Sequence, residues 1–257
     1  MKLRLIKEIN LNPETMIYPW QVFCSLLPDG DGYTGVLREH NPAIYAESAI
    51  MQVSFTPDLQ EASRKYICAG QDPRIFRIDP TNLAFVTWIT AGNDWHHAAV
   101  LIEQNVATLL TAPGYRGKNW LPVIIGNSFY IIRSLDPLVI YRMEEGEAVQ
   151  RIGSSWITDK VEQHRGGSAP TVNPVTGLIE GWGHRTIGPD LHLPFFYTVD
   201  SDGKVVYDVE SYPEGLEPGY GIVDPTSQWD DKVVCCCTTH GWRTQCKTFH
   251  GLFEVVK

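Results

Sequence analysis

The sequence predicts an all-β fold, a five-bladed β-propeller, on three observations. Helical periodicity is almost absent: short alternating or apolar runs recur along the chain, bounded by Gly, Pro, Asn and Asp, as strands and turns are. These runs group into five sets beginning near Trp20, Arg74, Asn119, Ser168 and Gly221, about 45 to 55 residues apart, close to the span of a four-stranded blade. The 257 residues, 43% of them hydrophobic and 8 of them Trp, can bury a sizeable core, and propellers of this length are usually one unit, so a single domain over 1–257 is expected. The strand pattern alone would also allow a β-sandwich; the period favours the propeller.

Taken in order, "MKLRLIKEIN" carries positive charge but no apolar h-region, and no window approaches 18 uninterrupted apolar residues. Neither export nor a membrane span is expected. The first set contains the hairpin "VFCSLLPDGDGYTGVLRE", with Asp and Gly between two β-forming runs. "TPDLQEASRKY" reads as a short helical connection. The second set opens with "GQDPRIFRID", the third holds "VIIGNSFYIIRSL", and the fourth holds "PTVNPVTGLIEGWGH" and "FFYTVDSDGKVVYDVE", each with a Gly- or Asn-containing turn. The fifth carries Cys235-Cys236-Cys237. In a strand the middle cysteine points away from its neighbours, so the run is apolar filler more readily than a bridge. Six cysteines at these spacings match no disulfide framework and no zinc signature, which suggests a reduced, cytoplasmic setting.

A formal net charge of -9 argues against a nucleic-acid partner, because neutralising phosphates takes a basic surface. It also makes local cations conspicuous, and they recur at the set boundaries: Arg38 and Asn41 in "VLREHN", Lys118, Asn119 and Trp120 in "KNW", Arg165 ahead of Gly166-Gly167-Ser168, and His184-Arg185. In a propeller the inner strands line a central channel where such groups converge. In "QDPR", Pro73 suits the start of a strand, where a missing N–H does no harm, and would aim Asp72 at the channel mouth. An Asp before Pro serves equally well as a turn cap. Cations around one carboxylate suit an anionic ligand, since guanidinium and ammonium groups bind phosphate through charge-assisted hydrogen bonds.

These elements, "SLLPDGDGYTGVLREHN", "GQDPRIFRID", "KNWLPVI" and "GGSAPTVNPVTGLIEGWGH", resemble successive blades of the β-mannoside phosphorylases and hydrolases of glycoside hydrolase family 130. The resemblance implies that Asp72 is the general acid, Arg74 the motif arginine, and Lys118 and His184 near positions that bind phosphate or sugar. It implies inverting phosphorolysis of a β-mannoside, with inorganic phosphate as co-substrate and no metal or other cofactor. The chain departs from the family at Gln71, where Glu is usual; at His96 and His97, where the phosphorylases present an Arg; and in "IIRSL", which lacks a His-Arg pair.

Inverting hydrolysis would need a second carboxylate roughly 6.5 to 9.5 Å from the first to activate water, whereas phosphate is already a nucleophile that basic groups can hold. Asp94 and Glu39 are the possible seconds, and the remaining candidates for binding an oligosaccharide or sugar phosphate are Arg185 and His240. A nucleotide-sugar-dependent mannosyltransferase and a non-catalytic glycan-binding propeller stay open as alternatives. Trp95, Trp120, Trp182 and Tyr197 could stack on sugars but suit a β core better. Of His96, His97, His184 and His240, adjacent histidines on a strand diverge and no zinc spacing is present, so no metal site is expected. No oligomer contact is legible.

Overall fold

The computed structural model describes residues 1–44, 47–91, 94–113, 118–153, 164–188, 191–208, 211–217, 219–229, 232–240 and 247–257. After β1 (Lys2–Glu8) come three separate four-stranded antiparallel meanders. They are β2 (Trp20–Asp29), β3 (Gly32–His40), β4 (Ser48–Phe55) and β5 (Glu61–Ala69); then β6 (Gln71–Arg77), β7 (Leu83–Ala91), β8 (Asp94–Leu101) and β9 (Val106–Leu110); then β10 (Leu121–Ile125), β11 (Ser128–Leu135), β12 (Leu138–Glu144) and β13 (Glu147–Gly153).

The fourth meander splits its first strand into β14 (His164–Gly166) and β15 (Thr171–Val172), both paired with β16 (Ile179–Gly188), and continues through β17 (Leu191–Val199) to β18 (Val205–Tyr207). The fifth runs β19 (Ile222–Trp229), β20 (Val233–His240) and β21 (Lys247–Val256), and β1 supplies its outermost strand. One parallel pair, His192 with Ile222, joins the fourth and fifth sheets. The five-bladed propeller is therefore the fold, with inner strands beginning close to where the sequence period puts them.

Alternation along the strands builds the ring. Consecutive residues face opposite sides of a blade, so each blade feeds two apolar interfaces. Val36 packs with Ile50, Ile75 and Phe85 between blades one and two, while its neighbour Leu37 packs with Cys24, Cys235 and Leu252 between blades one and five. Ile131 lies with Phe76, Val86 and Tyr141 between blades two and three, and Ile132 with Phe195 and Tyr197 between blades three and four. Cys236 turns away from Cys235 to join Trp182, Val223 and Phe253 between blades four and five. Five such clusters close the circle, and each fully buried Leu, Ile or Phe contributes about 1.5–3 kcal/mol. Cys24, Cys68, Cys235 and Cys236 are free thiols; Cys246 lies outside the described residues.

One expectation needs correction. "TPDLQEASRKY" is no helix: Thr56–Gln60 forms a turn around the buried Leu59, and Glu61 onward is β5. As the outermost strand of its blade β5 is mostly exposed, and its polar composition imitated a solvated helix. The segment ahead of the first set, to which the sequence assigned no strand, forms β1 and closes the ring through pairs from Lys2–Val256 to Glu8–Gly251. No helix among the described residues is long and apolar enough to cross a membrane.

Candidate active site

A cavity of about 280 Å³ opens where the inner strands meet, lined by four blades and by the segment leading into the third. Blade one supplies Phe23 and Arg38, blade two Asp72, and the approach to blade three Lys118 and Asn119. Arg165, His184 and His192 come from blade four, and Asp224, Cys237 and Thr239 from blade five. Six of the residues singled out in the sequence thus share one cavity: Asp72, Arg38, Lys118, Asn119, Arg165 and His184.

Local backbone geometry explains how they converge. Phe23, Asp72 and Asn119 all adopt left-handed conformations, with φ of 59°, 50° and 72°. L side chains avoid this region, most of all bulky ones, and the cost is of order 1–3 kcal/mol per residue, tolerated where the surroundings fix the geometry. Phe23 and Asp72 also sit where the ladders slip, between Val22 and Ser25 in β2 and between Gln71 and Arg74 in β6. Such irregularities re-aim a side chain. Pro73 fits because this stretch carries no ladder hydrogen bond to lose.

Asp72 is an ionised carboxylate held by cations. Arg38 Nη1 donates to its Oδ1 at 2.7 Å, and Lys118 Nζ lies 3.7 Å from its Oδ2. Burial pushes its carboxyl up, but Lys118, Arg38 and Arg74 outweigh burial and hold it far below the usual carboxylate range. Arg38 is itself buried and fixed by Ser48 and His40. Lys118 also donates to Gln71 Oε1, and it lies 5.0 Å over the Trp88 ring.

Arg74 does not line the cavity. Buried beneath Asp72, it donates to the carbonyls of Asp72, Gly167 and Gly166 and to Asn119 Oδ1, joining blades two and four to the segment leading into blade three. Its guanidinium lies 4.9 Å over the Phe23 ring, and burial brings its pKa down to about 10. Four other expected residues do not line this cavity either. Asn41 caps a turn and bonds Glu47; Asp94 is exposed at the start of β8; Arg185, next to His184, faces the other side of β16; His240, at the exposed end of β20, bonds the Gly219 carbonyl. Glu39 is fully buried and consumed by Arg64 and the backbone N–H groups of Ile17 and Tyr18. Trp120, Trp182 and Tyr197 are core; Trp95 stacks on Trp88, and His97 lies buried flat against Trp120.

The second carboxylate in the cavity is one the sequence reading passed over, Asp224. His192 Nδ1 bonds its Oδ1 at 2.8 Å and His184 Nδ1 lies 3.3 Å from the same oxygen, the two rings stacked at 4.8 Å. Burial raises the Asp224 carboxyl and the two imidazoles lower it, with the net shift downward; burial takes His184 down to about 4. A signal existed. Asp224-Pro225 repeats Asp72-Pro73 at the start of an inner strand, again beside a ladder slip, between Pro225 and Ser227. Asp79-Pro80 and Asp136-Pro137 carry the same dipeptide in turns, so it discriminates only together with the blade period. His192, Phe23 and Cys237 had no comparable signal.

No family model matches the sequence, and no curated protein matches it. Solved structures do. A hypothetical protein from Leishmania major has a TM-score of 0.68 at 12% identity, covering 99% of this chain and 91% of that one. The α-L-arabinofuranosidase PaAbf62A from Podospora anserina, solved with cellotriose, has a TM-score of 0.68 at 9% identity, covering 100% and 97%. A mannose phosphorylase from Leishmania mexicana, solved with a phosphate ion, has a TM-score of 0.65 at 11% identity, covering 98% and 88%. At these identities the likeness is one of fold: the chain has the propeller fold of glycoside hydrolases and a mannose phosphorylase.

Proposed function

We propose that the chain is a carbohydrate-active enzyme that cleaves or forms a β-mannosidic bond by inverting phosphorolysis. The observation that carries this reading is the charge of the cavity. In a chain of net charge -9 it gathers Arg38, Lys118 and Arg165 around two carboxylates, with Arg74 beneath. Such a surplus of cations suits a phosphate among them and a neutral sugar beside Asp72. The shared fold with a mannose phosphorylase agrees with this reading.

In this mechanism Asp72 donates its proton to the glycosidic oxygen as the bond from that oxygen to the anomeric carbon breaks. A phosphate oxygen attacks the same carbon from the opposite face, giving a sugar 1-phosphate and a free sugar hydroxyl. An Asp72 paired with Arg38 is ionised and has no proton to give. Phosphate resolves this: bound by Arg38 and Lys118, it neutralises the charges that hold the carboxyl down, and the pKa of Asp72 climbs only in the loaded site. Asp72 then takes its proton with the substrates in place.

Hydrolysis is the second reading, and Asp224 is the observation that favours it, because a second carboxylate in the cavity could activate water. Chromatography of products from β-mannobioses, with and without phosphate, separates the two. Mannose 1-phosphate formed only with phosphate, and lost by about 10²–10⁴-fold in Asp72→Asn, is the expected result. Free mannose formed equally without phosphate, and lost in Asp224→Asn, would replace phosphorolysis by hydrolysis. Turnover unaffected by Asp72→Asn would overturn the assignment of the acid.

A further inference from the structure

His184, His192 and Asp224 form a cluster that proton transfer at Asp72 does not use. One ligand atom from each lies within 4.8 Å of the others. Strand register fixes them. His184 faces Pro194 across β16 and β17, and His192 faces Thr186, so the two imidazoles are diagonal neighbours on one face of the sheet. His192 in turn pairs with Ile222, which places Asp224 two residues further along β19 on the same side. Side chains carried on paired strands are held more closely than any set on loops.

Hydrogen bonding alone leaves part of this cluster unexplained. His192 satisfies Asp224 Oδ1, whereas His184, 3% exposed, has its Nδ1 buried without a hydrogen-bond partner, 3.3 Å from that same oxygen. The 3.3 Å between His184 Nδ1 and Asp224 Oδ1 matches the ~3.3 Å edge of a tetrahedron with metal–ligand bonds of about 2.0–2.1 Å, while the 2.8 Å hydrogen bond from His192 would open by roughly 0.5 Å around an ion. Two imidazoles and one carboxylate are a donor set for zinc, iron, cobalt or nickel, and too poor in oxygen for calcium or magnesium. All three residues also line the 280 Å³ cavity, so a bound ion would face a space that water or a ligand oxygen can enter.

We propose that His184, His192 and Asp224 bind one divalent first-row transition ion, its remaining coordination positions open to the cavity. The ligand class it would take there is an oxygen donor, such as a sugar hydroxyl or a phosphate oxygen. This does not rest on the reaction proposed above, since binding is measured without turnover.

The test is titration of the full-length, metal-stripped chain under reducing conditions with Zn²⁺ by calorimetry and with Co²⁺ by visible absorption. One ion per chain is expected, with a Co²⁺ spectrum of nitrogen and oxygen ligands and no thiolate charge-transfer band. His192→Ala and Asp224→Asn should each weaken binding by more than the roughly 10- to 100-fold that loss of an outer-sphere partner costs. His240→Ala, changed at an exposed imidazole that does not line the cavity, should bind as the parent does. Absence of stoichiometric binding, a thiolate band, or affinity unchanged in both site variants would each overturn the proposal. If the site variants fail to fold, the parent's Co²⁺ spectrum still decides between this donor set and the cysteines.

Discussion

Arg38 Nη1 and Asp72 Oδ1 stand 2.7 Å apart, so the second strand of blade one is tied by charge to the first strand of blade two at the cavity wall. Removing the guanidinium leaves Asp72 with Lys118 at 3.7 Å and Arg74 beneath. In Arg38→Met the Asp72 carboxyl should therefore titrate closer to the ordinary carboxylate range, while a buried charge loses its nearest partner at a cost of about 3 kcal/mol. Carboxyl carbon shifts in an NMR titration check the first effect and urea unfolding the second. An unchanged Asp72 titration would mean that Lys118 and Arg74 suffice.

Arg74 is a structural bolt more than a ligand contact. Its donors reach Asp72, Asn119, Gly166 and Gly167. Truncation in Arg74→Ala strands several buried acceptors together, and a loss of roughly 3–5 kcal/mol is expected. Lysine, lacking the planar fork, should rescue little of it. Thermal unfolding of the two variants reads this directly; a near-parental Arg74→Lys would show that charge matters and the fork does not.

Gly167 lies where blade four meets blade five. A Cβ there would stand 2.7 Å from the Trp182 carbonyl oxygen and 2.8 Å from that of Pro225. Both are backbone atoms of paired strands, β16 and β19, so neither can rotate away. Gly167→Ala should cost about 1–3 kcal/mol and push β16 from β19. Because the Gly167 carbonyl also accepts from Arg74, the two substitutions should be non-additive in a double-mutant cycle.

Stability should fall on mild acidification. Burial lowers His97 to about 3, with help from Arg74, and lowers His250 and His40 to about 4, His40 with help from Arg38. A base whose folded pKa lies below its unfolded value contributes stability above about pH 6.5, and that contribution shrinks as pH falls toward the folded pKa, because the unfolded chain binds the protons first. At pH 5 each such histidine has given up roughly 2 kcal/mol. Urea midpoints between pH 7.5 and 4.5 check this, and His97→Phe, which keeps the contact with Trp120, should flatten the profile.

What the sequence disclosed and what it concealed divide by range. Inner strands were legible because a turn followed by alternating residues is a local pattern: Trp20 starts the first, and Gln71, Leu121, His164 and Ile222 lie within a few residues of the other expected starts. The partner of β1 lies more than 240 residues away and leaves no local trace. In the cavity, the Asp-Pro bulge and the cations at blade starts were visible as unusual residues in unusual places. Asp224 hid because Asp-Pro also makes ordinary turns, and His192 because it is a lone histidine at the start of an inconspicuous strand. Asn41, Asp94, Arg185 and His240 were chosen by nearness in sequence to the right position; one residue along a strand reverses the face, and a few residues bring the chain out to the rim.

The pairing of β1 with β21 sets an order of events for chain synthesis. Lys2–Glu8 is made before any strand of the first four blades, yet its partner, Lys247–Val256, is made after them all. Blades one to four each contain all their strands and can collapse as they appear, whereas the fifth waits for β21 to meet β1. Until then the nascent ring offers an open β21 edge and an unattached apolar strand end bearing Leu3, buried in the finished molecule. Ring closure is thus the step at which a chaperone or a stray β-strand would compete most directly with β1.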